Sequence, residues 1–158
     1  LLSIMQKYDF VALGGTFDII HDGHMKLLNK AFSISNKAII GLTSDELAAK
    51  KGKNLLKNYH QRFEALKSVI EKNFPKSSYE ISRLENDFGP AVIEGSVQAL
   101  VVSKETSNKG ILLNELRVKG NLPPVETVIV PMVLAEDGGI ISTTRIKNSE
   151  IDSSGNLN

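Results

Sequence analysis

The chain contains no cysteine, and this absence excludes three kinds of chemistry together. Disulfide bridges, thiolate zinc sites and thiol nucleophiles all require a cysteine sulfur. Because disulfides are characteristic of oxidising compartments, a chain without cysteine suits an intracellular protein. Any catalysis must therefore depend on other side chains.

An excess of charge of either sign is also lacking, since 19 basic and 18 acidic side chains leave a formal net charge of +1. So small a charge creates no field that would favour nucleic acid or an anionic membrane as a partner. Aromatic residues make up 6% of the chain and are not interleaved with basic ones, so a stacking platform is not supported. We expect neither nucleic acid nor membrane as a partner.

Long hydrophobic runs are missing as well, and none approaches the roughly 20 residues that a membrane-spanning helix needs. Residues 1–7 lack the basic start and the apolar core of a signal peptide, so we expect a cytoplasmic protein. The share of hydrophobic residues, 41%, is typical of a globular domain. We expect one domain over 1–158, with its core at about 8–150 and a frayed polar tail at 153–158.

Short apolar runs alternate with segments of helical spacing along the chain. The apolar runs predict strands at 10–13, 38–42, 79–84, 99–102 and 128–130. Helices are predicted from about 23, after Ser44, over about 59–73, over about 105–117 and from Ser142. In the fourth helix Leu112, Leu113 and Leu116 are expected to face the core.

This alternation of strands and helices predicts an α/β fold, a single-domain Rossmann-like three-layer sandwich with a parallel five-stranded sheet. Ligands of such a fold lie at the carboxyl ends of the strands.

The first predicted strand leads into a loop with unusual polar residues. Its sequence is Gly14-Gly15-Thr16-Phe17-Asp18, and His21-Asp22-Gly23-His24 follows at the start of a helix. The paired glycines allow a tight turn and a close approach of the backbone to a ligand. Gly23 lets the backbone N–H groups and the imidazoles of His21 and His24 converge on one anion. We interpret this stretch as a phosphate-handling loop.

Other interpretations of this stretch are less well supported. Two histidines near a helix start are often plain surface or capping residues, but the position after a buried strand and Gly-Gly-Thr favours a function. A zinc pair lacks further ligands, because His60 is the only other histidine, and we expect no protein-bound metal. The loop lacks the G-x-G-x-x-G pattern, and the sequence contains no G-x-x-x-x-G-K-[ST] motif. Neither dinucleotide redox binding nor P-loop hydrolysis is therefore supported.

Two motifs, the Gly14–His24 stretch and Ile141-Ser142-Thr143-Thr144, resemble the nucleotidyltransferase superfamily with HxGH and ISTT-type signatures. Internal motifs are similar to those of the archaeal phosphopantetheine adenylyltransferases and of the adenylyltransferase domain of eukaryotic coenzyme A synthase. They are Tyr59-x-x-Arg62, Asp87-x-Gly89-Pro90 and Val101-Val102-Ser103-x-Glu105-Thr106, followed by Gly110, Asn114 and Arg117. The resemblance covers about 10–150. The cytidylyltransferases of the same superfamily usually carry Arg-Thr-Glu-Gly before the ISTT motif, where this chain has Ala135-Glu136-Asp137-Gly138-Gly139. This departure argues against CTP as the nucleotide substrate.

The resemblance implies that the phosphate of 4′-phosphopantetheine attacks the α-phosphorus of ATP, giving dephospho-coenzyme A and pyrophosphate, with Mg²⁺ as the cofactor. A phosphate nucleophile is ionised near neutral pH, so catalysis needs no general base and relies on alignment and charge stabilisation. Two alternatives stay open. Either the acceptor differs (glycerol 3-phosphate with CTP, or FMN or nicotinamide mononucleotide with ATP), or the chain is a nucleotide-binding sensor without turnover.

The resemblance also implies the site residues. The expected catalytic residues are Thr16, His21, His24 and Lys51, with His24 as the partner of the transition state. The expected substrate-binding residues are Gly14, Gly15, Thr16, Phe17, Asp18, His21, Gly23, His24, Lys50, Lys53, Arg62, Ser103, Glu105, Thr106, Ser142, Thr143 and Thr144.

Several of these side chains have simpler alternatives. The basic run at 50–53 is equally well explained as a solvated charged surface. Asp18 either orients the loop or a substrate phosphate, or is a plain capping residue, and Arg62 either pairs with phosphate or caps its helix. Arg145 and Lys147 either reach the pyrophosphate or form a surface pair. The sequence leaves the oligomeric state open, with a monomer included.

Overall fold

The structure of the chain is a computed structural model that describes residues 6–89, 92–93 and 95–158. Within these residues the strands are β1 Tyr8–Gly15, β2 Ser35–Thr43, β3 Tyr79–Leu84, β4 Ala99–Ser103 and β5 Glu126–Val130. They form one parallel sheet in the order β3-β2-β1-β4-β5. The predicted parallel five-stranded sheet is therefore confirmed, and each strand contains or overlaps its predicted apolar run.

The helices of the same residues are α1 Asp22–Ile34, α2 Asp45–Lys50, α3 Tyr59–Asn73, α4 Lys109–Lys119 and α5 Thr143–Lys147. The predicted start of the fourth helix at about 105 is wrong, because a single 3-10 turn at Lys104–Thr106 precedes α4. Local side chains hold this turn, since Ser107 Oγ donates to the carbonyl oxygen of Lys104 at 2.9 Å. Such bonds compete with a regular helix. No helix in the described part of the chain is long and apolar enough to cross a membrane.

Helices cover both faces of the sheet. Successive residues of a strand point to opposite faces, so each strand contributes to two separate cores. On one face Val11 shares a buried cluster with Leu28 of α1 and Leu66 of α3. On the other face Ala12 shares a buried cluster with Leu113 of α4. The predicted three-layer sandwich is thus confirmed. Because all five strands of its middle layer are parallel, their carboxyl ends lie at the same edge of the sheet.

The buried face of α4 differs from the predicted one. Leu112 and Leu116 are 45% and 39% exposed, whereas Leu113 is buried together with Gly110 and Arg117. The expectation that Leu112 and Leu116 face the core is therefore wrong. The inward positions have ordinary helical spacing, but two of them are a glycine and an arginine, so apolarity alone indicated the wrong side of the helix.

The end of the chain is folded, so the prediction of a frayed tail at 153–158 is wrong. The backbone N–H of Asp22 donates to the carbonyl oxygen of Ser153 at 3.0 Å, which fixes the tail beside the start of α1. Ile151 is 1% exposed in a small apolar cluster. The carboxylate of Asp152 closes the turn by accepting three hydrogen bonds from residues that follow it. Polar residues form an ordered turn here because their side chains bond to the local backbone.

Candidate active site

A cleft of about 670 Å³ opens over the carboxyl ends of the strands. Three segments form much of its wall. They are the phosphate loop Gly14–Asp18 at the end of β1, residues 51–55 of the basic loop Lys51–Lys57 after α2, and the start of α5. The 3-10 turn after β4 and the first residue of α4 also contribute. Since ligands of open α/β sheets bind at this edge, the cleft lies where the sequence predicts the site.

His21 and His24 cap the start of α1 with their own ring nitrogens. His21 Nδ1 accepts the backbone N–H of Gly23 at 3.1 Å, and His24 Nδ1 accepts the backbone N–H of His21 at 3.2 Å. Gly23 is needed for this cap, because a Cβ at that position would lie 2.8 Å from the His21 ring. Capping, one of the alternatives that the sequence left open, is therefore part of the role of both histidines.

His24 lines the cleft and stacks on His21, with the two ring centroids 3.9 Å apart. Burial, together with nearby His21 and Lys53, lowers the pKa of His24 to about 3. Burial also lowers the pKa of His21, because desolvation disfavours the charged imidazolium. A neutral imidazole whose Nδ1 accepts a hydrogen bond carries its proton at Nε2. His24 is therefore a neutral side chain near neutral pH, with Nε2–H as the donor available to a ligand.

Two lysines of the basic loop reach the cleft. Lys53 Nζ donates to the hydroxyl of Thr16 at 2.8 Å, and Lys51 Nζ pairs with the carboxylate of Asp87 at 2.7 Å. Both lysines line the cleft, whereas Lys50, the last residue of α2, does not. The structure thus brings Thr16, Lys51 and Lys53 together and leaves Lys50 outside.

Lys109 is a cleft residue that the sequence analysis missed. It is the first residue of α4, is half-buried, and lines the cleft together with Lys51 and Lys53. Burial lowers the pKa of Lys109, and nearby Lys51 lowers it further, whereas Asp87 raises it. The sequence signal was its place at the start of a helix after β4, at the ligand edge of the sheet, but the predicted helix began four residues earlier.

Arg62 is fully buried and holds the phosphate loop from below. Its guanidinium donates to the carbonyl oxygens of Thr16 at 2.9 Å, Thr43 at 2.7 Å and Lys57 at 3.2 Å. It also pairs with the carboxylate of Asp45 at 2.8 Å. Because Arg62 is 0% exposed and lies outside the cleft lining, its observed contacts are with backbone and carboxylate oxygens rather than with a ligand space.

Asp18 is also tied to protein groups. Its carboxylate accepts the backbone N–H groups of Leu56 at 2.9 Å and Lys57 at 3.0 Å, and it pairs with Lys147 Nζ at 2.8 Å. Burial raises the pKa of Asp18, but the hydrogen bonds from Lys147 and the two N–H groups outweigh it and leave this pKa lowered. Of the two roles that the sequence allowed, the contacts favour orientation of the loops.

The predicted site residues, taken together, divide into those that line the cleft and those that do not. The lining includes Gly14, Gly15, Thr16, Phe17, Asp18, His24, Lys51, Lys53, Ser103, Glu105, Thr106, Thr143 and Thr144. The predicted residues outside it are His21, Gly23, Lys50, Arg62 and Ser142. Ser142 caps α5, where its Oγ accepts the N–H of Arg145 at 3.2 Å. Arg145 pairs with Asp137 and Glu150, as expected of a surface ion pair.

The internal motifs support the cleft wall. The side chain of Asn114 bonds to both the N–H and the carbonyl oxygen of Val125, at 2.8 and 3.0 Å. Arg117 donates to three backbone carbonyl oxygens, and one of them, at 2.8 Å, belongs to Val92 in the cleft lining. Arg117 therefore positions part of the wall, whereas Asn114 ties α4 to the segment before β5. Pro90, the last residue of another motif, lies outside the described residues.

Comparison with known proteins gives consistent matches along the chain. A family model described as cytidylyltransferase-like matches residues 12–149. A phosphopantetheine adenylyltransferase of Methanosarcina acetivorans is 44% identical over 150 residues, which cover 93% of this chain and 94% of the relative. A protein of the same name from Methanothermobacter thermautotrophicus is 36% identical, and the match covers 96% of this chain and 91% of that relative.

A solved structure of a protein with unknown function from Archaeoglobus fulgidus has a TM-score of 0.69 at 29% identity. The match covers 80% of this chain and 89% of that one, so the sandwich fold is shared. The family model gives the broad class, and the curated relatives give the narrower group. The chain therefore belongs to the cytidylyltransferase-like nucleotidyltransferases and, within them, to the phosphopantetheine adenylyltransferases. The family resemblance expected from the two signatures is confirmed.

Proposed function

We propose that this chain transfers AMP from ATP to 4′-phosphopantetheine and forms dephospho-coenzyme A and pyrophosphate. One observation carries the proposal: Thr16, His24 and two lysines converge in one cleft of a chain that is 44% identical to a protein named for this activity. On this proposal 1–158 act as a single nucleotidyltransferase domain. The catalytic residues are those expected from the sequence, Thr16, His21, His24 and Lys51.

The proposed step exchanges one bond at phosphorus for another. An oxygen of the 4′-phosphate bonds to the α-phosphorus of ATP, while the bond from that phosphorus to the α–β bridging oxygen breaks. Pyrophosphate leaves with the electron pair, and no proton has to be taken from the nucleophile. A neutral His24 whose Nδ1 is already occupied by the N–H of His21 suits this step, because it donates a hydrogen bond and is not required as a base.

We assign the Nε2–H of His24 to an oxygen of the α-phosphate. A donor that is fixed before the reaction stabilises the transition-state charge without reorganising, and the capping bond to His21 fixes this ring. His21 supports His24 in two ways: its ring stacks on the His24 ring, and its backbone N–H donates to His24 Nδ1. Thr16, which lies between the glycines and Phe17, offers its hydroxyl and backbone to the phosphates.

Positive charge for the reacting phosphates comes from two sides of the cleft. Lys51 and Lys53 serve the incoming 4′-phosphate, because Lys53 already contacts Thr16 of the phosphate loop. Thr143, Thr144 and Lys147 line the cleft at α5, and we assign them to the β- and γ-phosphates of ATP. Two anions repel each other when they are brought into line, so ammonium groups on both sides lower the energy of the approach.

An apolar wall is available for the rest of the acceptor. Leu84, Phe88 and Val102 border the cleft beyond the phosphate loop. Leu84 packs over the end of β2, where a Cβ on Gly41 would lie 2.6 Å from its Cδ1 atom. We place the extended pantetheine arm along this wall, because ligand pockets bind the apolar parts of a ligand on such surfaces and orient it with a few polar groups.

We include Mg²⁺ as the cofactor that accompanies ATP. Among the described residues, no three histidine or acidic side chains are grouped to bind a metal ion. Mg²⁺ does not need such a group, because it is usually bound through nucleotide phosphates and waters with one or two carboxylates. Glu105 lines the cleft and suits that part. The bound ion would neutralise phosphate charge.

A substrate panel tests the proposal. The purified chain is offered ATP or CTP with each acceptor in turn, and pyrophosphate release is measured. We expect turnover with ATP and 4′-phosphopantetheine, and little with glycerol 3-phosphate, FMN or nicotinamide mononucleotide. The variant His24→Ala, purified in the same way, controls for contaminating enzymes. Turnover with CTP and glycerol 3-phosphate alone would contradict the proposal, and tight ATP binding without turnover would favour the sensor.

A further inference from the structure

We propose that Asp18 and Lys147 form a clamp that holds the basic loop in the position from which Lys53 reaches Thr16. Asp18 is a positioning residue of the site, and Lys147 combines this positioning role with the phosphate contact assigned to it above. The clamp itself is inferred from geometry, and its effect on catalysis rests on the proposed function. It joins the three segments that form much of the cleft wall, because Asp18 belongs to the phosphate loop and Lys147 to α5.

The Asp18 carboxylate is the centre of the clamp. It is 3% exposed and accepts bonds from two N–H groups of the basic loop and from Lys147 Nζ. Lys147 Nζ donates a second bond, at 2.5 Å, to the carbonyl oxygen of Asn54 in the basic loop. One carboxylate and one ammonium group therefore fix three backbone atoms of the same loop.

The second half of the basic loop has little else to hold it. Within the described residues, no backbone-to-backbone hydrogen bond outside regular elements involves positions 54–57. Leu56 is 65% exposed, so it anchors nothing in the core. Among the described residues, Arg62 makes the one further bond to 54–57, from its guanidinium to the carbonyl oxygen of Lys57. Side-chain bonds thus determine where this half of the loop lies.

The electrostatics make the clamp depend on both partners. A carboxylate that is almost fully buried is costly without a paired charge, so removing the ammonium group of Lys147 leaves it undercompensated. Lys147 is less buried, with 24% of its side chain exposed, and a neutral replacement there is sterically mild. The basic loop is then expected to open more often, and Lys53 loses its fixed position beside Thr16.

Limited proteolysis with trypsin measures this opening directly, because the loop region contains Lys50, Lys51, Lys53 and Lys57. Cleavage of a transiently open segment follows the population of its open form. We expect Lys147→Met to increase the rate of cleavage at 50–57 about tenfold or more. The matched control is Glu80→Gln, which breaks the exposed ion pair with Lys37 elsewhere on the sheet. It should leave the cleavage rate at 50–57 unchanged.

A second variant and a second measurement keep the proposal testable if a variant is unstable. Lys147→Arg retains the charge and should restore most of the resistance to trypsin. In hydrogen exchange, the amides of Leu56 and Lys57 should be protected in the wild-type chain and lose protection in Lys147→Met, while the amides of β1 keep theirs. Equal cleavage at 50–57 in wild type and Lys147→Met, or unprotected amides of Leu56 and Lys57 in the wild type, would overturn the clamp.

The activity assay separates the two proposals. If the wild-type chain adenylylates 4′-phosphopantetheine, Lys147→Met and Asp18→Asn should each lower kcat/KM, and the double variant should lose less than the product of the two effects. Additive losses would contradict a shared clamp. If the wild type shows no turnover with any acceptor, the proposed function fails, whereas the proteolysis and exchange results still decide whether the clamp exists.

Discussion

His21 and His24 hold each other in register: their rings stack with centroids 3.9 Å apart, and the backbone N–H of His21 donates to the ring of His24. The H-x-G-H spacing is thereby explained as a helix cap made of imidazoles. The first histidine binds the N–H two residues ahead, and the fourth residue binds back to the first. The arrangement leaves both Nε2 atoms as donors, and a fixed donor of this kind suits the transition-state role that we propose for His24.

Replacing His24 by alanine should damage catalysis far more than folding. We expect kcat to fall on the order of 10²-fold or more, the loss typical of removing one fixed donor to a transition state. Steady-state kinetics with ATP and 4′-phosphopantetheine measures the effect. His60→Ala is the matched control, because His60 is exposed on α3 and lies outside the cleft lining. A near wild-type kcat for His24→Ala would remove His24 from its central role.

The protonation state of His24 gives a pH prediction that needs no substrate. Its pKa in the folded chain is about 3, below the ordinary value of 6.5. As the pH falls below about 6.5, the unfolded chain binds a proton that the folded chain does not, so the free energy of unfolding decreases. The decrease continues towards pH 3, with a limiting slope of about 1.4 kcal/mol per pH unit for this one group.

Nitrogen NMR of the histidine rings checks this directly. From about pH 8 to about pH 5, the His24 ring should keep the signals of the neutral Nε2–H tautomer. In denaturation experiments, His24→Asn should flatten the loss of stability below about pH 6.5. A His24 ring that becomes protonated between about pH 8 and about pH 5 would contradict the neutral-donor account.

The sheet and the phosphate loop could be predicted because their signals are local. The predicted bounds of α3, about 59–73, agree with the observed ones, because apolar residues recur at helical spacing and Pro75 follows the end. In the structure, Asn58 caps the start of α3 through a capping box with Gln61. The partner of Arg62 could not be predicted. This side chain bonds to Thr16, which is 46 positions away in sequence, and that contact depends on how α3 lies under the phosphate loop. No local pattern encodes such a distance.

Lys109 provides a prediction about binding. Lys109→Met should raise the KM for one of the two phosphate substrates about tenfold, because it removes an ammonium group from a partly desolvated cleft. The matched control is Lys119→Met at the exposed other end of α4. Kinetics at low and moderate ionic strength measures both variants. If the KM values of Lys109→Met and Lys119→Met remain equal, Lys109 has no role in binding phosphate.

Gly110 provides a prediction about stability. A Cβ at this position would lie 2.0 Å from the hydroxyl of Thr127 in β5, so Gly110→Ala should lower the free energy of unfolding by about 1–3 kcal/mol. Gly120→Ala is the matched control, since its Cβ would meet only ordinary contacts, the nearest at 3.5 Å. Denaturant unfolding measures both. Equal stabilities of the two variants would show that α4 shifts away from β5 at little cost.

The errors on α4 and at the chain end have the same physical origin. Leu112 and Leu116 look like core residues because apolar spacing was the only signal, but tight packing at Gly110 and the buried bonds of Arg117 decide which face turns inward. Likewise the polar tail was expected to fray, yet its side chains satisfy the local backbone. Sequence periodicity reports hydrophobicity, and it does not report close packing or buried polar bonds.

The most direct test of the central claim follows the oxygen atoms of the acceptor. The chain is incubated with ATP and with 4′-phosphopantetheine whose three terminal phosphate oxygens are ¹⁸O, and the products are examined by mass spectrometry. Attack of the 4′-phosphate on the α-phosphorus predicts dephospho-coenzyme A that retains all three labelled oxygens, and pyrophosphate that contains none. Failure to form labelled dephospho-coenzyme A, or label in the pyrophosphate, would contradict the account.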